Sequence, residues 1–239
     1  MEAQLRRDLA AAYRLVAMKG WDDLVATHIS VRVPEEDSFL INPFGMLFEE
    51  IRPADLVKVD LDGKVLSPTN WGVNQAGFVI HSAIHAARHD VTCAMHLHTA
   101  DGIAVSMLEE GLLPLNQTAM LMADRIAFHE FEGVALDLDE RARLVADLGD
   151  KPAMILRNHG TLTVGETIAE AFTRMYYLET ACTIQVRALG MGRKLHGVPG
   201  EVVDKVSALH DFSAREIGQN LVWPALLRKL DRLDPTWSR

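Results

Sequence analysis

A layered α/β or α+β fold, with a sheet covered by helices, is predicted for this chain from three observations. Short β-type runs recur along the sequence, at 28–33, 38–41, 56–59, 91–98, 153–157 and 161–164. Long helical patterns stand between and beside them, at 2–19, 74–89 and 166–189. Hydrophobic residues make up 49% of the 239 residues, enough for the core of one large domain or of one domain with an extension.

The first helix rests on Leu5, Leu9, Ala12, Leu15 and Val16, which keep the 3.6-residue period, and Gly20 stops it. After the runs at 28–33, 38–41 and 56–59, Leu61-Asp62-Gly63-Lys64 reads as a hairpin turn. Asn74 is placed to cap the helix that runs to about His89. In the strand at 91–98, Cys93, Met95 and Leu97 point to one face, and Ala94, His96 and His98 to the other. A helix at 100–109, a loop with Gly111 and Pro114, and a helix at 139–148 are expected next. An apolar strand at 153–157 then turns at Asn158-His159-Gly160 into 161–164. The helix at 166–189 carries Ile168, Phe172, Met175, Leu178, Cys182 and Val186 along one face. Residues 190–200 are Gly-rich and end in Pro199-Gly200, a linker signal. A main domain over 1–200 and a C-terminal helical extension over 201–239 are therefore expected. The stripe from Trp223 to Leu230 is read as packing on its own or a neighbouring subunit, with cover over the site as the second reading.

No apolar run approaches the ~18 residues of a membrane span, and the N-terminus lacks the apolar stretch of a signal peptide. A cytosolic protein is expected. A net charge of -9 without a basic patch argues against nucleic-acid and anionic-membrane partners. Cys93 and Cys182 sit apart in apolar stretches and read as free buried thiols.

The chemistry-bearing feature is His96-Leu97-His98. Alternate strand positions lie ~6.5–7 Å apart on one face, which lets two imidazoles converge on one metal ion. His159, at a strand corner, is the third candidate. An isolated His-x-His is also what two polar residues on a half-exposed strand look like, so spacing alone leaves the metal open. His81 and His85, spaced to share a helix face, are read either as site residues or as satisfied helix histidines.

His96-Leu97-His98-Thr99 followed by Arg157-Asn158-His159-Gly160 resembles the class II aldolase/adducin family. So do Thr27-His28-Ile29-Ser30, Ile41-Asn42-Pro43-Phe44-Gly45 and Val73-Asn74-Gln75-Ala76-Gly77-Phe78, and the likeness is greatest to the adducin head domain and its bacterial relatives. The resemblance implies a three-layer α/β/α fold around a nine-stranded, mainly antiparallel sheet. It implies a homotetramer with active sites at subunit interfaces. It also implies one divalent ion, zinc first and iron or manganese next, on His96, His98 and His159.

Departures from the family's pattern narrow the expectation. The acidic residue that serves aldolases as ligand or base falls on Gly77 here. His81, one helical turn on, is the nearest replacement and the expected catalytic residue: its ring becomes a fourth ligand, or water fills the space. The aldolases' Ser-Ser pair is Gln75-Ala76, a hydroxyl residue of the first phosphate loop is Phe44, and the Asn of the first strand is His28. Expected substrate-binding residues are thus His28, Asn42, Phe44, Gly45, Asn74 and Gln75, around a non-phosphorylated oxo or hydroxy acid rather than a sugar phosphate. No tyrosine stands near Asn116-Gln117-Thr118, where aldolases supply one, so the acid/base is left among Asp124, Glu130 and Glu132. The leading expectation is a metal-dependent lyase working through a metal-stabilised enediolate. The alternatives are a mononuclear non-haem iron oxygenase and a non-enzymatic adducin-like assembly module, with actin binding unexpected because the chain carries no long basic tail.

Overall fold

The computed structural model describes residues 1–134 and 137–238. Its strands are β1 (His28–Val33), β2 (Ser38–Ile41), β3 (Val57–Asp60), β4 (Cys93–Leu97), β5 (Ile126–His129), β6 (Ala153–Leu156) and β7 (Gly160–Gly165). They form one sheet in the order β3-β2-β1-β4-β7-β6-β5. Every pairing is antiparallel except that of β5 with β6. The sheet is mainly antiparallel as expected, but among the described residues it has seven strands, not nine. Two further segments reach only isolated bridges, Val59 with Val65 and Phe44 with Gly72. Pro68, with no N–H to give a ladder, and Gly72 interrupt the stretch that would extend them.

The helices are α1 (Glu2–Met18), α2 (Gln75–Ala87), α3 (Ala100–Ser106), α4 (Gln117–Leu121), α5 (Glu140–Leu148), α6 (Ile168–Gly190), α7 (Gly200–Ser207) and α8 (Trp223–Leu233), with a π-helical stretch at Phe212–Val222. Strand alternation sorts them into two layers. Cys93, Met95 and Leu97 of β4 bury against Leu9, Val16 and Phe172 of α1 and α6. Ala94 of β4, with Leu162 and Val164 of β7, buries against Val79, Ile80 and Ile84 of α2 and Leu144 and Leu148 of α5. The architecture is therefore three-layer α/β/α, and His96 projects on the α2 side.

Residues 201–238 lie on the other side. Trp223, Leu230 and Trp237 are buried in the same cluster as α1 and α6. The stripe from Trp223 thus packs on its own chain, behind the sheet from His96, and does not cover the histidines. Both cysteines are free and buried. Among the described residues no helix is long and apolar enough to cross a membrane.

Candidate metal centre

His96 sits inside β4, His98 just beyond its end, and His159 in the turn between β6 and β7. Leu97 pairs with Thr161 across the β4–β7 ladder, which brings the turn to the end of β4. Asn158 takes φ 56°, a left-handed conformation that asparagine tolerates better than most residues, and this sharpens the corner that swings His159 inward. Gly160 permits the approach, since a Cβ there would stand 2.4 Å from the Leu97 carbonyl oxygen.

The result is a tight group. His96 Nε2 lies 2.9 Å from His98 Nε2 and 3.3 Å from His159 Nε2. Two ligands at 2.0–2.1 Å on one tetrahedral ion stand about 3.3 Å apart, so these spacings suit a shared cation. The ring protons support the same arrangement. His96 Nδ1 donates to the Thr161 carbonyl oxygen at 3.0 Å, and His98 Nδ1 to the Asp23 carboxylate at 3.1 Å. With Nδ1 donating, each of the two rings turns its Nε2 inward, the orientation that metal ligands adopt. Burial, then the neighbouring rings, hold His96 well below the usual histidine range. Burial, with His98 and His129, brings His159 down to about 4. The residues present thus fit a divalent ion, which needs neutral imidazoles. Among the described residues these three are the group able to hold one.

Residues 7–186 match the class II aldolase and adducin N-terminal domain. The chain belongs to the class II aldolase and adducin family. Within that family, a solved aldolase II superfamily protein from Pseudomonas syringae is 50% identical, with a TM-score of 0.94 over 99% of this chain and 95% of that one. L-fuculose 1-phosphate aldolase from Glaciozyma antarctica PI12 is 30% identical, with a TM-score of 0.87 over 100% of this chain and 92% of that one. Alpha-adducin of Mus musculus is 46% identical over 192 residues, 79% of this chain but 26% of the adducin.

Around the class II aldolase-type histidine group, the other expected residues fare unevenly. His28 stands opposite His96 in the β1–β4 register, with ring centroids 5.1 Å apart. Its ring also fills the space beside Gly77, where a Cβ would meet His28 Cδ2 at 2.6 Å. His81 does not take that space. His81 is fully buried one layer further back, its Nε2 2.8 Å from His28 Nδ1 and its Nδ1 2.5 Å from Ser30 Oγ. It does not join the three converging rings. Asn74 is spent on capping α2 through the Ala76 N–H and on the Ala26 carbonyl. Asn42 is buried, with its Oδ1 accepting from Tyr13 Oη at 2.9 Å. Phe44, Gly45 and Gln75 are exposed, and the Phe44 N–H is taken by the Gly72 carbonyl.

Of the acids considered, Glu132 pairs with Arg143 and Asp124 lines a surface cavity with Arg125 and Lys151. Residues that sequence reasoning passed over do more. Asp23 orients His98 from the loop after α1. Phe131 places its ring 6.2 Å from that of His159. Glu179 of α6 accepts from both Thr99 Oγ1 and Thr161 Oγ1, the threonines that flank the ligand-bearing turns. Burial pushes its carboxyl up to about 7 against those two bonds. Its signal in the sequence was an acid on the apolar face of the helix expected at 166–189.

Proposed function

We propose that the chain is a metal-dependent lyase of the aldolase or decarboxylase type, acting on a small non-phosphorylated oxo or hydroxy acid. His96, His98 and His159 would hold one divalent ion, zinc before iron or manganese. The supporting observation is the convergence of three Nε2 atoms while the Nδ1 atoms of His96 and His98 are tied to Thr161 and Asp23. A divalent ion held there supplies Lewis-acid stabilisation for negative charge gathering on a substrate oxygen as a carbon–carbon bond breaks. Asp23 and the Thr161 carbonyl keep the two rings in the correct tautomer and orientation. His28, at the edge of the group, faces the substrate.

The choice of a non-phosphorylated acid rests on donors. Asn42 Nδ2, Asn74 Nδ2 and the Phe44 N–H already donate to the carbonyls of Thr27, Ala26 and Gly72, which leaves a phosphate without a fixed set of amides and hydroxyls. We also infer a homotetramer with the site at a subunit boundary, in the cytosol. Phe131 beside His159 is 53% exposed, a large apolar ring that a neighbouring copy would cover. Two free cysteines suit a reducing compartment.

Elemental analysis of the purified protein is expected to find about one divalent ion per chain. The zinc-loaded protein is expected to release a carbonyl product from members of a panel of small oxo and hydroxy acids. Full zinc loading with no product across the panel rules the lyase out. Oxygen uptake with Fe(II) and not with zinc transfers the case to the oxygenase. Neither chemistry, with intact metal, moves it to a binding role of the kind the adducin likeness suggests.

A further inference from the structure

Behind His28 runs a chain of buried polar groups that the reading above does not use. His28 Nδ1 lies 2.8 Å from His81 Nε2, His81 Nδ1 2.5 Å from Ser30 Oγ, and Ser30 Oγ 2.7 Å from His85 Nε2. His81, Ser30 and His85 are fully buried, and His85 Nδ1 has no partner among the described residues. His28 is 2% exposed, and its Nε2 makes no protein hydrogen bond among the described residues. We infer that this chain sets the tautomer of His28, making it a neutral N–H donor aimed at a substrate oxygen beside the three converging histidines.

Hydrogen-bond accounting carries the inference. All three rings are buried and bond only to one another and to Ser30 among the described residues, with no carboxylate to balance a charge, so each is neutral and carries one proton. A serine hydroxyl has one proton to give, so three arrangements exist. If both rings donate to Ser30, its own proton is orphaned. If the chain runs from His28 inward, all three rings are Nδ1–H and His85 ends it with a buried, unpartnered N–H. If it runs from His85 outward, all three are Nε2–H: His85 donates to Ser30, Ser30 to His81, and His81 to His28 Nδ1. The last arrangement leaves a bare ring nitrogen at His85 and no orphaned donor. Orphaned buried N–H groups are the rarer defect. The outward chain therefore wins, and His28 Nε2 must carry a proton. A proton-bearing nitrogen with no partner suits a carboxylate or enolate oxygen.

Ser30, His81 and His85 are on this account positioning residues. The nature of the oxygen that His28 meets rests on the lyase reading; the tautomer does not. Long-range 15N–1H correlation on the 15N-labelled protein, with and without zinc, is expected to find His28, His81 and His85 all as Nε2–H. Three Nδ1–H rings would overturn the proposal even if the protein binds zinc, and even if it is a lyase. Oxalate then serves as the probe of the zinc-loaded protein, with a downfield shift of the His28 Nε2–H proton expected on binding. Ser30→Ala is expected to weaken oxalate roughly tenfold at unchanged zinc stoichiometry, as loss of one directed hydrogen bond would, and to leave His28 a mixture of tautomers. Ser30→Thr, which keeps the hydroxyl, is expected to restore both. Unchanged oxalate affinity and a single His28 tautomer in Ser30→Ala would overturn the positioning role. Should Ser30→Ala fail to fold, or zinc fail to bind, the tautomers of the unmodified protein still decide.

Discussion

At Gly77 one methyl group would be too much. A Cβ there would stand 2.6 Å from His28 Cδ2 and 2.9 Å from Cγ, far inside contact distance. The position lies in the first turn of α2, where alanine would favour the helix by roughly 1 kcal/mol over glycine. Gly77→Ala is therefore expected to hold its melting temperature near that of the parent while the His28 ring is pushed from its seat. Turnover on any substrate found should fall at least tenfold. Metal content, by elemental analysis, should stay at parental stoichiometry because none of the three converging rings touches residue 77. Loss of metal with turnover would show instead that position 77 supports the ion itself.

Between strands and helices the balance is one of buried charge. Glu179 of α6 is held at about 7 against an ordinary 4.5, so the fold keeps a proton that the unfolded chain gives up. Its contribution to stability is full below about pH 4.5 and lost as pH rises through 7, at most about 3 kcal/mol. The buried histidines act with the opposite sign. His85, at about 3, stays neutral in the fold and takes a second proton once unfolded, so stability drains away as pH falls below 6.5. Glu179→Gln removes the alkaline loss alone. Its melting temperature relative to the parent should be about 5 °C better at pH 8 than at pH 5, measured by calorimetry at both. An equal difference at the two values would mean that Glu179 is ionised in the fold throughout.

The same scale shows what could be read in advance. His96 and His98 were legible because strand alternation sets their face, and His159 because a corner of Asn and Gly follows an apolar strand. β5 was not, since Ile126–His129 is four residues whose pairing is the parallel ladder with β6, and no local pattern announces a non-local partner. The role of His81 was misjudged for a related reason. Helical spacing placed it near the site, but the ring that reaches the site comes from β1, and only the register of His28 with His96 reveals this. Asn74 looked like a substrate residue and a helix cap at once, and the cap took its side chain.

Over the whole molecule, the sheet separates chemistry from bracing. We propose that residues 201–239 form a helical extension whose work is to close the α1 and α6 side of the core. Trp237 carries much of it: its side chain is fully buried, Arg7 lies over its ring at 4.8 Å, and its Nε1 donates to Asp231 at 3.1 Å. Arg14 adds an ion pair to Asp234 at 2.9 Å. Trp237→Ala would open a cavity in the cluster shared with Cys93, Met95 and Leu97 of β4, at about 3–5 kcal/mol. A fall of about 10 °C in melting temperature is expected for a chain of this size. Because those β4 residues face away from His96, zinc affinity measured by competition with a chelator should change less than twofold. A tenfold loss of zinc affinity would mean that the two faces of β4 are coupled, and that the C-terminal segment belongs to the site as much as to the core.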